Sequence, residues 1–126
     1  MSQRQVIALA KRLNGQDVIW AVPANLIVLT TDGSRQREEN GVFAAVAGTD
    51  GSAFHYFRKG VLGVVHEVMP VKELSGIDTQ VVAHFADGDQ PCVSFDRESG
   101  PSWLIFGEGE DRHQFLVEKV KELSSS

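Results

Sequence analysis

Proline, glycine and Asp-Gly steps cut residues 17–109 into short apolar runs, and that punctuation limits what the chain can become. The runs are "DVIWAV", "NLIVL", "GVFAAVAG", "AFHYFRKG", "VLGVVHEVM", "TQVVAHF", "PCVSF" and "PSWLIF". They are rich in β-branched and aromatic residues and short for helices, so they read as strands. Only in "GVFAAVAG" would the alanines serve a helix as well. About seven or eight such runs at 8–12-residue spacing predict a small antiparallel barrel or sandwich.

The connections follow from turn chemistry. Pro23-Ala24-Asn25 reads as a bend between two strands, and Asp32-Gly33, Lys59-Gly60 and Asp87-Gly88 as strand ends. "SRQREEN", Ser34 to Asn40, has no apolar period and reads as a solvated loop or hairpin tip. Gly63 reads as a possible bulge position. Pro70 cannot donate to a ladder, so it should end a strand or sit at an edge, with "VKELSGID" as a corner after it.

Helical spacing occurs only at the two ends. Val6, Leu9, Ala10 and Leu13 fall at i, i+3, i+4 and i+7, predicting an amphipathic helix stopped by Asn14-Gly15. Glu110 to Leu123 predicts a second helix with the apolar stripe Phe115, Leu116, Val120 and Leu123. Its acids lie at the start and its lysines towards the end, as the helix dipole favours. One domain over residues 1–126 is expected, with a first helix at 1–14, strands over 17–108 and a closing helix at 110–123.

Composition narrows the function classes. The net charge is −5 and the pI about 5.3, so bulk charge repels nucleic acid and anionic lipid. A single cysteine, Cys92, leaves no internal disulfide and no Cys-x-x-Cys pair. Lys11 and Arg12 interrupt the first apolar stretch, so it reads neither as a signal-peptide core nor as a membrane span. A cytoplasmic protein is the expectation.

The order of about seven strands and one closing helix resembles the pleckstrin-homology (PH)-like fold, and the bacterial PH-like domains in particular. The residues that carry the resemblance are "NGQDVIWAVPA" and "NLIVLTTDG" as the first strands, then Pro70, Val71, Leu74 and Ile77 of "MPVKELSGIDT". "SWLIFGEGEDRHQFLVEKVKEL" matches the family's last strand and helix. The chain departs from the family at Asp32-Gly33, where a basic residue is usual. The resemblance implies a barrel capped by its C-terminal helix, and a non-enzymatic module that binds protein.

No catalytic, metal or cofactor motif stands out. His55, His66 and His84 could lie on neighbouring strands, but the sequence has no His-x-His or His-x₃-His pair, and outward-facing strand histidines are expected. Cys92, between Pro91 and Val93, reads as a small core residue rather than a nucleophile. Arg58 and Lys59 of "HYFRKG" are too few to hold a membrane or a phosphoinositide strongly. Candidate interaction residues are Val6, Leu9 and Leu13 on the first helix and the two tryptophans, Trp20 and Trp103. The first helix needs a surface for its apolar face, either its own barrel or a second copy, and the expected partner is a protein or the chain itself as a homo-oligomer. One alternative is a small-molecule-binding or enzymatic barrel with a pocket near Trp20, His55, His66 and His84. Another is a structural subunit of a phage-type or mobile-element assembly.

Overall fold

A computed structural model describes residues 17–30, 32–33, 35–48, 51–60, 63–85, 88–107 and 110–124. The expected N-terminal helix lies outside the described residues. The strands are β1 (Asp17–Leu29), β2 (Arg35–Gly48), β3 (Gly51–Gly60), β4 (Gly63–Pro70), β5 (Leu74–Phe85), β6 (Gly88–Arg97) and β7 (Ser102–Phe106). A short 3-10 turn (Val71–Glu73) joins β4 to β5, and the helix α1 (Glu110–Ser124) closes the chain. All seven strands form one antiparallel sheet in the order β4-β3-β2-β1-β7-β6-β5.

β1 organises the sheet. The two runs expected on either side of Pro23-Ala24-Asn25 are one strand, with a register shift between Ala24 and Leu26 where a bend was expected. Two β2 residues stand against Asn25 there, a bulge that bends the ladder without ending it. The segment read as a solvated loop is the first part of β2: Arg35 to Glu38 pair with Leu29 to Leu26. A polar sequence can hold a strand because the neighbouring β1 backbone satisfies its hydrogen bonds, whatever its side chains prefer. β7 pairs with β1 only over Asn25–Leu29. The first half of β1 therefore pairs with β2 alone, and the second half lies between β2 and β7.

The sheet folds over on itself. Phe95 of β6 packs on Phe43 of β2 and Phe54 of β3, with centroids 5.4 and 4.9 Å apart. In a flat sheet of this order β3 and β6 would stand about 19 Å apart. The inner face they enclose holds Leu26, Val28, Tyr56, Met69, Trp103 and Ile105. The expected barrel closure is not present: β4 and β5 stand at the two ends of the order and do not pair. Pro70, which cannot donate, ends β4, as its chemistry requires. Arg97 at the end of β6 holds the corner after it by donating to Glu73 at 3.3 Å.

Gly41 shows how tightly the inner face is filled. A Cβ there would lie 2.3 Å from the Tyr56 hydroxyl and 2.5 Å from the Phe57 carbonyl oxygen. That hydroxyl crosses beneath β2 to donate to the Ala24 carbonyl at 3.1 Å.

α1 lies across the inner face on three of the four residues of the stripe read from sequence, Leu116, Val120 and Leu123, and not on Phe115. Leu116 and Val120 are buried in the core, with Val117 and Leu123 packed at its margin. His113 is buried with them, and Phe115 is 47% exposed. At 100° per residue, 113, 116, 117 and 120 share one arc, and Phe115 lies nearly opposite its centre. Including Phe115 turns the stripe read from sequence by about 70° from the buried arc, and His113 and Val117 take the inward places instead. The described helix is not long and apolar enough to cross a membrane.

Candidate functional site

The first half of β1 has β2 on one side only, because β7 begins its pairing at Asn25. The start of α1 comes close on the other side. Gly107 allows this: a Cβ there would meet the Arg112 Cβ at 2.8 Å. Between them lies a groove of about 350 Å³ lined by Ala21, Val22, Pro23, Asp111, Arg112 and Phe115. Its floor is apolar, and Asp111 and Arg112 bring one charge of each sign to its rim. Phe115 borders it with its ring partly in water, and the Lys119 ammonium stands 5.4 Å from the ring centroid. A volume at the low end of the range for ligand pockets suits an inserted apolar side chain better than a large cofactor.

The second notable feature is a ring cluster on the outer face of β3 and β4. Lateral pairing sets Phe57 opposite His66 and His55 opposite Val68. His66 stacks on Phe57 at 4.6 Å and on His55 at 5.2 Å. The His55 Nδ1 and His66 Nε2 atoms are 2.9 Å apart, so one ring donates to the other. His55 is 5% exposed, and burial, helped by the neighbouring imidazole, pushes its pKa down to about 4. Burial also holds His66 below the usual histidine value, with Glu67 acting against it. The fold thus builds a tight histidine pair from residues eleven apart. A search for short spacings misses it, because cross-strand neighbours are distant in sequence.

The remaining predicted residues divide. Trp20 faces inward against Phe43 and Phe54, partly exposed at the margin of the core. Trp103 is buried within the core at 1% exposure. His84 is exposed at the far end of the sheet, on β5, with its Nδ1 2.7 Å from an Asp89 carboxylate oxygen. Trp20, His55, His66 and His84 therefore do not converge on one pocket. The expectation that the histidines face outward is met by His66 and His84, whereas His55 and His113 are buried. Val6, Leu9 and Leu13 lie outside the described residues. Cys92 is fully buried beside Ala83 and Phe106, and burial raises its thiol pKa. Among the described residues, no group of three or more His, Cys, Asp or Glu side chains is placed to hold a metal ion.

Comparison of the chain with protein-family models, with curated proteins and with solved structures gives no match.

Proposed function

We propose that the chain is a non-enzymatic, PH-like interaction module that takes an apolar side chain of a protein partner into the groove between β1 and α1. Seven meandering strands followed by one helix packed on the inner face support the PH-like part of this reading. The observation that carries the binding part is Phe115. It is 47% exposed beside the groove, on a helix whose Leu116 and Val120 are buried. Leaving a phenylalanine half in water forgoes part of the ~1.5–3 kcal/mol that its full burial would give. Exposed aromatics beside an apolar cleft are common anchors of protein contacts. Self-association belongs to the same reading, since β4 and β5 end the sheet and open edges invite pairing.

N-acetyltryptophanamide, an uncharged mimic of one large side chain, tests the groove. In a titration followed by amide chemical shifts, saturable changes should centre on Ala21, Val22 and Asp111–Phe115. Absence of saturation, or saturable changes elsewhere on the sheet, would refute the assignment. For self-association, light scattering at high micromolar concentration should show a mass above 13.8 kDa. A monomer mass would remove that part of the reading and leave the groove untouched.

A further inference from the structure

β1 changes its neighbours halfway along. Among the described residues, its first half up to Ala24 pairs with β2 alone, while Asn25–Leu29 have β7 on their other side. β7 ends at Phe106, opposite Asn25, and α1 begins at Glu110. The lane beside the first half of β1 is therefore the direct continuation of β7. It opens onto the groove at Ala21, Val22 and Pro23.

The backbone groups along that lane have a definite order. Tyr56 of β3 reaches beneath β2 to donate to the Ala24 carbonyl, so that carbonyl points towards β2. In an antiparallel strand the N–H and C=O of one residue point the same way, and successive residues alternate. Ala24 and Val22 therefore turn their backbone groups to β2, and Pro23 and Ala21 turn theirs to the open lane. Pro23 suits that place, because a residue without an N–H costs the β1–β2 ladder nothing there. The lane thus presents the Ala21 N–H, the Ala21 C=O and the Pro23 C=O. Val22, between them, has its side chain on the inner face.

The other open edges carry charge, and this one does not. Arg35 and Arg37 stand on the part of β2 that extends past its pairing with β3. β5 carries exposed Asp78 and His84, and β4 carries His66 and Glu67. Charged side chains are a usual means of keeping a foreign strand off an edge. From Val18 to Ala24, β1 has no charged residue, and Ile19 is 49% exposed. The register shift between Val18 and Trp20 and the missing N–H of Pro23 shorten the usable stretch without closing it.

We propose that the occupant of the groove is a short extended segment of the protein partner, which adds as an antiparallel strand beside Ala21–Pro23 in the lane that β7 leaves. This rests on the proposed groove and specifies how the apolar side chain is presented to it. The segment's apolar residue stands opposite Val22, so its side chain takes the inward face, as that of Val22 does, and enters the groove beside Arg112 and Phe115. The residue after it exchanges both hydrogen bonds with Ala21, and the residue before it donates to the Pro23 carbonyl. The partner's chemistry follows: an apolar residue between two residues that keep their backbone N–H, with proline excluded from either side.

The test leaves the protein unchanged and alters the probe. Two capped pentapeptides, threonine-threonine-tryptophan-threonine-threonine and the same peptide N-methylated on both residues flanking tryptophan, are compared with N-acetyltryptophanamide. In a titration followed by amide chemical shifts, the unmodified peptide should bind about tenfold or more tighter than N-acetyltryptophanamide, with shifts at Ala21, Val22 and Asp111–Phe115. N-methylation should abolish that gain, because it removes both peptide donors. The Ala21 amide proton should exchange with water about tenfold or more slowly when the unmodified peptide is bound. Equal affinity of the two peptides at the groove, or unchanged exchange at Ala21, would overturn strand addition and leave the groove in place. Absence of saturable shifts at the groove with all three probes would refute the groove itself, and the proposal with it.

Discussion

His55→Phe tests the energetics of the outer ring cluster. His55 is buried between Ala44 and Val68 in its row and stacks near Phe57, so a phenylalanine fits the surroundings without a charge to titrate. In the unfolded chain a histidine takes up its proton near pH 6.5. In the fold His55 does so only at about pH 4, because burial and His66 oppose the charge. Between these values the unfolded state binds the proton and the native state excludes it. Stability is therefore lost as the pH falls from about 6.5 to 4, and no more is lost to this group below that. The gap of 2.5 units corresponds to about 3 kcal/mol, a large fraction of the 5–15 kcal/mol of a typical domain. Urea unfolding of both proteins at pH 7.5, 6, 5 and 4 measures it. Carboxylate titration is common to both and cancels in the difference. The wild type should lose about 3 kcal/mol relative to His55→Phe between pH 7.5 and 4. Parallel pH profiles, or a His55 pKa above 6 by NMR titration, would refute the reasoning.

Three further outcomes follow from the packing. Leu116→Ala should cost about 2–5 kcal/mol in denaturant unfolding, because the side chain is sealed in the core; a loss below about 1 kcal/mol would remove α1 from the inner layer. Gly41→Ala should destabilise by about 1–3 kcal/mol, since its methyl group meets the Tyr56 hydroxyl and the Phe57 carbonyl; Tyr56→Phe in the same chain should not relieve it fully, because the backbone oxygen remains. Cys92 should react with a thiol reagent only as fast as the native state opens, and rapid labelling at pH 7 would show the outer patch of β5–β7 to be loose.

Much of the fold was legible in the chain because turn residues and β-branched runs act locally. Asp32-Gly33, Pro70 and Asp87-Gly88 stand at or beside strand ends. What failed depended on partners distant in sequence. Arg35 to Glu38 look like a loop until β1 supplies a ladder for them. Whether β4 and β5 pair depends on the curvature of the whole sheet, and the bulge in β1 leaves only a Pro-Ala-Asn step as its sign. Alternation with Phe54 and Tyr56 places His55 outward. It does face away from the main core, but this sheet also has a buried outer side. The groove left the least trace. By spacing Phe115 belongs to the apolar stripe of its helix, and only the packing of α1 on the sheet shows that it faces away from the core.

On the proposed reading, Phe115 stands half in water for contact with a partner and contributes much less to the fold than a buried aromatic would. Phe115→Ser measures both sides of that claim in one protein, by denaturant unfolding and by titration with N-acetyltryptophanamide. Unfolding free energy should fall by no more than about 1.5 kcal/mol, the share that half burial of the ring supplies, while saturable shifts at Ala21, Val22 and Asp111–Phe115 disappear. A loss of more than about 2 kcal/mol, or binding at those residues that persists unchanged, would contradict it.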